Sequence, residues 1–95
     1  MSLSIIATIQ AQPEHQETVR EALSAMLAPT RAEIGCMQYD LHVDQAAPNR
    51  LVMIERWHDD AALDAHIASP HMAQLKAVIS DKTAGIDIQR LTHLG

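Results

Sequence analysis

At 95 residues, with 47% apolar side chains but one Trp, one Tyr and no Phe, the chain suits a single domain, 1–95, with an aliphatic core. Seven Lys plus Arg against twelve Asp plus Glu leave a charge of −5, so both phosphate-neutralising cations and stacking rings are scarce, which excludes the usual nucleic-acid binder. No apolar run approaches the roughly 20 residues of a membrane span. No basic start precedes an apolar leader, and a lone Cys36 cannot close an internal disulfide. A cytoplasmic location with no membrane partner is expected.

Leu3 to Ala11 alternates as a strand does, with Leu3, Ile5, Ala7 and Ile9 on one face and Ser4, Ile6, Thr8 and Gln10 on the other. Pro13 suits a first helical position, and Glu14 and Glu17 suit the positive end of the helix dipole. Val19, Ala22, Leu23, Met26 and Leu27 then follow helical apolar spacing, until Pro29 breaks the helix near Ala28. A short turn from Thr30 to Ile34 ends at Gly35. Cys36 to Val43 alternates again, placing Met37, Tyr39, Leu41 and Val43 opposite Cys36, Gln38, Asp40 and His42. Asp44 to Asn49 reads as a loop and Leu51 to His58 as a third strand. That strand is apolar on both faces and so needs cover on both.

Asp59 is a fitting N-cap for a helix carrying Leu63, His66 and Ile67. Ser69-Pro70 starts another helix, with Met72, Leu75 and Ile79 inward, and Gly85 precedes a last strand from Ile86 to Thr92. The order βαββαβ predicts an α+β, ferredoxin-like fold with a four-stranded antiparallel sheet and helices on one face. The other face carries Ile6, Val52 and Ile54, which predicts a homodimer packed sheet to sheet.

Among six histidines, His66 and His71 stand out: one is on the inner stripe of its helix, the other opens the next helix. Either is a satisfied structural histidine or a base in its neutral form. Their i, i+5 spacing is not the i, i+4 that sets two metal ligands on one helical face, so no metal is expected. Glu55 and Trp57 point the same way as Met53. A carboxylate there is either functional or paired with Arg31, Arg56 or Arg90. Tyr39 is a core residue or lines a pocket with its hydroxyl. Cys36 reads as a small buried hydrophobe. The three glycines stand alone, so no phosphate-cradling loop and no nucleotide cofactor is expected.

Two segments carry a family resemblance. Thr30-Arg31-Ala32-Glu33-Ile34-Gly35-Cys36 resembles an R-x-E-P-G-C turn. Glu55-Arg56-Trp57-His58-Asp59-Asp60-Ala61-Ala62-Leu63-Asp64-Ala65-His66, followed by Pro70-His71, resembles E-x-W-x-D-x-x-A-L-x-x-H with a later P-H. Both are patterns of the antibiotic biosynthesis monooxygenase family. Ile34 departs from the family's Pro and Met72 from a common aromatic. The resemblance implies a dimer of ferredoxin-like barrels and a cofactor-independent monooxygenase acting with O2 on a small quinol or anthrone. It implies His66 and His71 as catalytic bases, with Tyr39, Met53, Glu55, Trp57 and Arg31 around the substrate. An isomerase of a small phosphorylated signal-type metabolite and a non-catalytic small-molecule binder are the alternatives. Haem degradation fits poorly, because the first strand lacks an Asn and the later helices offer His66 and Lys76.

Overall fold

The computed structural model describes residues 2–95. Strand β1 (Leu3–Ala11) buries Ile5, Ala7, Ile9 and Ala11 and leaves Ser4, Ile6, Thr8 and Gln10 half-buried, as its alternation requires. Pro13–His15 forms one 3₁₀ turn before α1 (Gln16–Ser24), and α2 (Leu27–Arg31) follows after a turn at Ala25 and Met26. The break therefore falls earlier than Ala28. A proline ring clashes with the carbonyl four residues back, which for Pro29 is that of Ala25, so the helix ends there and Pro29 enters the first turn of a new one.

Strands β2 (Cys36–Asp44) and β3 (Ala47–Trp57) form a hairpin tighter than the sequence suggests. Asp44 pairs with Ala47, and the Asp44 carboxylate accepts the Ala46 N–H at 2.8 Å, closing an Asx turn. The register shifts between Val43 and Asp44, so Pro48 lies in an irregular stretch where its missing N–H interrupts no regular ladder. A second irregularity corrects the reading of β2. Cys36 opposes Trp57 but Gln38 opposes Arg56, leaving Met37 as an extra residue that is 52% exposed. The bulge moves Cys36 onto the face shared by Tyr39, away from Asp40 and His42.

Helix α3 (Asp60–Ile67) is capped by Asp59, whose side chain accepts the Ala62 N–H at 2.8 Å. Helix α4 (Pro70–Ile79) is capped by Ser69, with Pro70 in its first turn. Strand β4 (Thr83–Thr92) starts two residues before Gly85. The sheet order is β2-β3-β1-β4, antiparallel throughout, so the fold is the expected α+β ferredoxin-like one. Tyr39, Glu55, Ile5 and Arg90 lie side by side in one row across all four strands. No described helix is long and apolar enough to cross a membrane.

Gly35 is needed for a close approach rather than for a left-handed turn, since no described glycine has positive φ. A Cβ there would run into the Ala62 side chain of α3, and the Gly35 carbonyl accepts the His58 N–H at 2.9 Å. Gly35→Ala is expected to destabilise the fold by about 2 kcal/mol through overpacking. Thermal unfolding checks this, with Ala62→Gly restoring most of the loss in the double variant.

Candidate active site

Between the sheet and the helices lies a cavity of about 190 Å³, walled by Ile5, Ala7, Met53, Leu63, Met72 and Leu75 among others. That exceeds the roughly 150 Å³ of an engineered apolar cavity that binds benzene. Its polar groups are few: Tyr39 and Glu55 on the sheet, His66 on α3, Lys76 on α4 and Arg90 on β4. Few polar groups in an apolar cleft is the usual make-up of a small-molecule site.

His66 is buried and lies on the inner stripe of α3. Its Nδ1 is 2.7 Å from Glu33 Oε2, and the same oxygen is 2.8 Å from His71 Nε2. An ionised carboxylate only accepts, so both imidazoles donate to it. The proton of neutral His66 then rests on Nδ1, and Nε2 keeps its lone pair with no hydrogen bond to any described residue. The His66 ring lies over Trp57 with centroids 4.6 Å apart, and Tyr39 meets it edge-on at 5.4 Å. Ring orientation is thus set by a hydrogen bond on one nitrogen and by packing on two sides.

Glu55 is buried and pairs with none of Arg31, Arg56 or Arg90. Its Oε1 accepts the Trp57 indole N–H at 2.9 Å, from two residues along the same strand face. Burial pushes the carboxyl up to about 7; the Trp57 hydrogen bond opposes this and the Glu33 charge reinforces it. Burial, reinforced by the Glu55 charge, pushes the Tyr39 hydroxyl far above the usual phenol range, so the phenol stays protonated and able to donate. Cys36 is half-buried, and burial pushes its thiol up as well, with the Glu33 charge next in weight. Such a thiol is a poor nucleophile.

Of the residues singled out from the sequence, Tyr39, Met53, Glu55 and His66 line the cavity, and Trp57 backs it by stacking on His66. His71 meets the same Glu33 oxygen, its ring 6.0 Å from that of His66, and is not among the cavity walls. Arg31 also stands elsewhere: its guanidinium donates to the Tyr39 carbonyl and to Asp40, both at 3.0 Å, on the outer side of β2. The sequence alone assigns Glu33 no role, although it lies inside the first matching segment. The bond that reveals its role joins residues 33 positions apart.

This sheet, cavity and histidine arrangement defines a class. The chain belongs to the family described as antibiotic biosynthesis monooxygenase, whose pattern matches residues 2–78. Rv0793 of Mycobacterium tuberculosis, named as a candidate monooxygenase, is 38% identical over 79 residues, covering 83% of this chain and 77% of its own. YgiN of Escherichia coli K12, named as a candidate quinol monooxygenase, is 30% identical over 99 residues, covering 94% and 95%. The crystal structure of PA3566 from Pseudomonas aeruginosa superposes with a TM-score of 0.95 at 40% identity, covering 99% of this chain and 95% of the other.

Proposed function

We propose that the chain is a cofactor-independent monooxygenase that oxidises a small quinol or anthrone-like aromatic with O2, using His66 as the base. The observation that carries this is the Glu33-held His66, at the wall of an apolar cavity, with Nε2 left as an acceptor. Nε2 takes a proton from the acidic C–H or O–H of an electron-rich ring, and the resulting carbanion or phenolate reduces O2 directly. For an anthrone-type methylene the balance is complete. Two C–H bonds break, one oxygen atom becomes the carbonyl, and the other leaves as water with both hydrogens, so no external reductant enters. Glu33 steadies the imidazolium that forms, as the carboxylate does in a Ser-His-Asp triad. Tyr39 and Glu55 are placed to hydrogen-bond substrate oxygens, and Met53 and Trp57 shape the apolar surroundings. His71 acts as a positioning residue through Glu33, and Arg31 is given no contact with substrate.

Oxygen uptake by chelator-treated protein with a panel of hydroquinones and anthrones tests this. Uptake above autoxidation is expected, lowered at least about 100-fold by His66→Ala, the scale of a lost general base. Uptake equal in both proteins removes His66 from the chemistry.

The proposal includes a homodimer. Ile6, Val52 and Ile54 are only half-buried on the uncovered sheet face, and Ile86 and Ile88 of β4 are 51% and 62% exposed. Light scattering after size exclusion is expected to give twice the chain mass. A second activity, isomerisation of a small phosphorylated metabolite, draws support from Lys76 and Arg90 at the cavity, although Arg90 is already held by Asp60 at 2.9 Å. Conversion of such a substrate without O2 would favour it.

A further inference from the structure

We propose that Glu33, His66 and His71 also form a binding site for a divalent transition-metal ion of the zinc class, and that an ion there switches the His66 base off. The site rests on geometry alone; its effect on turnover rests on the oxygenase proposal above.

Two imidazoles and one carboxylate are a donor set that zinc and its neighbours favour. Glu33 Oε2, His66 Nδ1 and His71 Nε2 all lie within 4.8 Å of one another. Bonds of about 2.0–2.2 Å in a tetrahedron place ligand atoms about 3.4 Å apart. The two contacts now at 2.7 and 2.8 Å would therefore open by about 0.6–0.7 Å, and the third, within 4.8 Å, would close by about 1.4 Å at most. The i, i+5 spacing of the histidines is no obstacle, because the chain turns at Ala68 and Ser69 and each imidazole comes from a different helix. The third ligand comes from the turn that follows α2.

Exposure suits an ion that enters from outside. The His66 side chain is 3% exposed, but Glu33 and His71 are 17% and 19%. Glu33 lines a shallow hollow with Gly35, His58, Asp59 and Ala65, none of which walls the substrate cavity. The ion would thus reach the Glu33 carboxylate from solvent without crossing the cavity.

Occupancy changes what His66 offers the cavity. Metal on Nδ1 uses the lone pair there, so the neutral ring's single N–H proton, now on Nδ1 facing Glu33, must move to Nε2. The atom that accepts in the metal-free protein then donates. It cannot take a proton from substrate, so a bound ion and a working base exclude each other.

The test uses the full chain, stripped with chelator, titrated with Zn²⁺ by calorimetry and with Co²⁺ by visible absorption. One ion per chain is expected, with Glu33→Ala and His71→Ala each weakening affinity at least about 100-fold. His58→Ala removes the nearby exposed imidazole that pairs with Asp59 and should leave affinity unchanged. Far-UV circular dichroism confirms that each variant is folded, and His71→Gln serves if His71→Ala is not. Equal affinity in wild type, Glu33→Ala and the folded His71 variant overturns the site. Stoichiometric Zn²⁺ should abolish His66-dependent O2 uptake, and retained or increased uptake overturns the switch. A chain that consumes no O2 with any substrate defeats the oxygenase proposal, while the calorimetry still decides the site.

Discussion

Replacing Glu33 with Ala is expected to lower kcat about 1,000-fold or more while changing KM less than about threefold. Removing the carboxylate that orients a catalytic histidine has effects of this size elsewhere. Three things are lost together. His66 Nδ1 loses its acceptor at 2.7 Å, so the ring no longer has one preferred tautomer. The imidazolium formed during turnover loses its counter-charge. His71 loses its acceptor too, and with it the tie between the start of α4 and the turn after α2. The cavity walls formed by Met53, Tyr39 and the α4 side chains remain, so binding should survive. Steady-state kinetics separate the two constants. Nitrogen NMR of the imidazoles supplies a readout independent of activity: His66 should be the Nδ1–H tautomer in the wild type and a mixture in the variant. A variant that keeps full kcat removes Glu33 from the mechanism.

Glu55→Gln is expected to raise stability on the order of 3 kcal/mol at pH 8 and to change it little near pH 5. The sign follows from where the proton binds more tightly. The folded-state carboxyl is raised to about 7 from an ordinary value of 4.5, so the native protein holds this proton over a range where the unfolded chain has released it. Stability from this group is therefore complete below about 4.5, declines as pH rises through the interval, and is fully lost above about 7. Gln keeps the oxygen that accepts the Trp57 indole N–H and never ionises, so the decline should vanish. For a domain of this size, each kcal/mol is worth about 4–8 °C in Tm. Melting curves at pH 5 and pH 8 therefore resolve the difference easily. A wild-type Tm that rises between those pH values, with Glu55→Gln following it, would show that Glu55 is ionised without penalty.

Local chemistry wrote much of this structure into the sequence. Alternation in β1, the Asp59 and Ser69 caps and the placing of Glu55 and Trp57 on one strand face each depend on neighbours within a few positions, whereas the hydrogen bond between those two side chains was not foreseen. The errors arose where one residue acts on another further along. Pro29 broke the helix at Ala25 because the clash is four residues upstream. The Met37 bulge followed from strand pairing with β3, and it reversed the faces assigned to Cys36 and Met37. Arg31 was expected near substrate because it falls in a matching segment, but Asp40 and the Tyr39 carbonyl hold it outside. Glu33, two positions away, is the residue that reaches His66. Nothing in its immediate sequence distinguishes it from a solvated surface carboxylate. An acid in a segment shared with relatives, next to the Gly35 that lets the turn press on α3, was the available signal.

Because one Glu33 oxygen binds partners 33 and 38 residues away, the Glu33–His66–His71 cluster has no local existence. Neither the hairpin nor the α3–α4 pair alone could assemble it, and it forms only once the sheet has brought both ends of the chain's middle third together. Loss of the imidazole–carboxylate contact and loss of the global fold should therefore be a single cooperative event, so a nascent or partly unfolded chain holds neither imidazole in a fixed orientation.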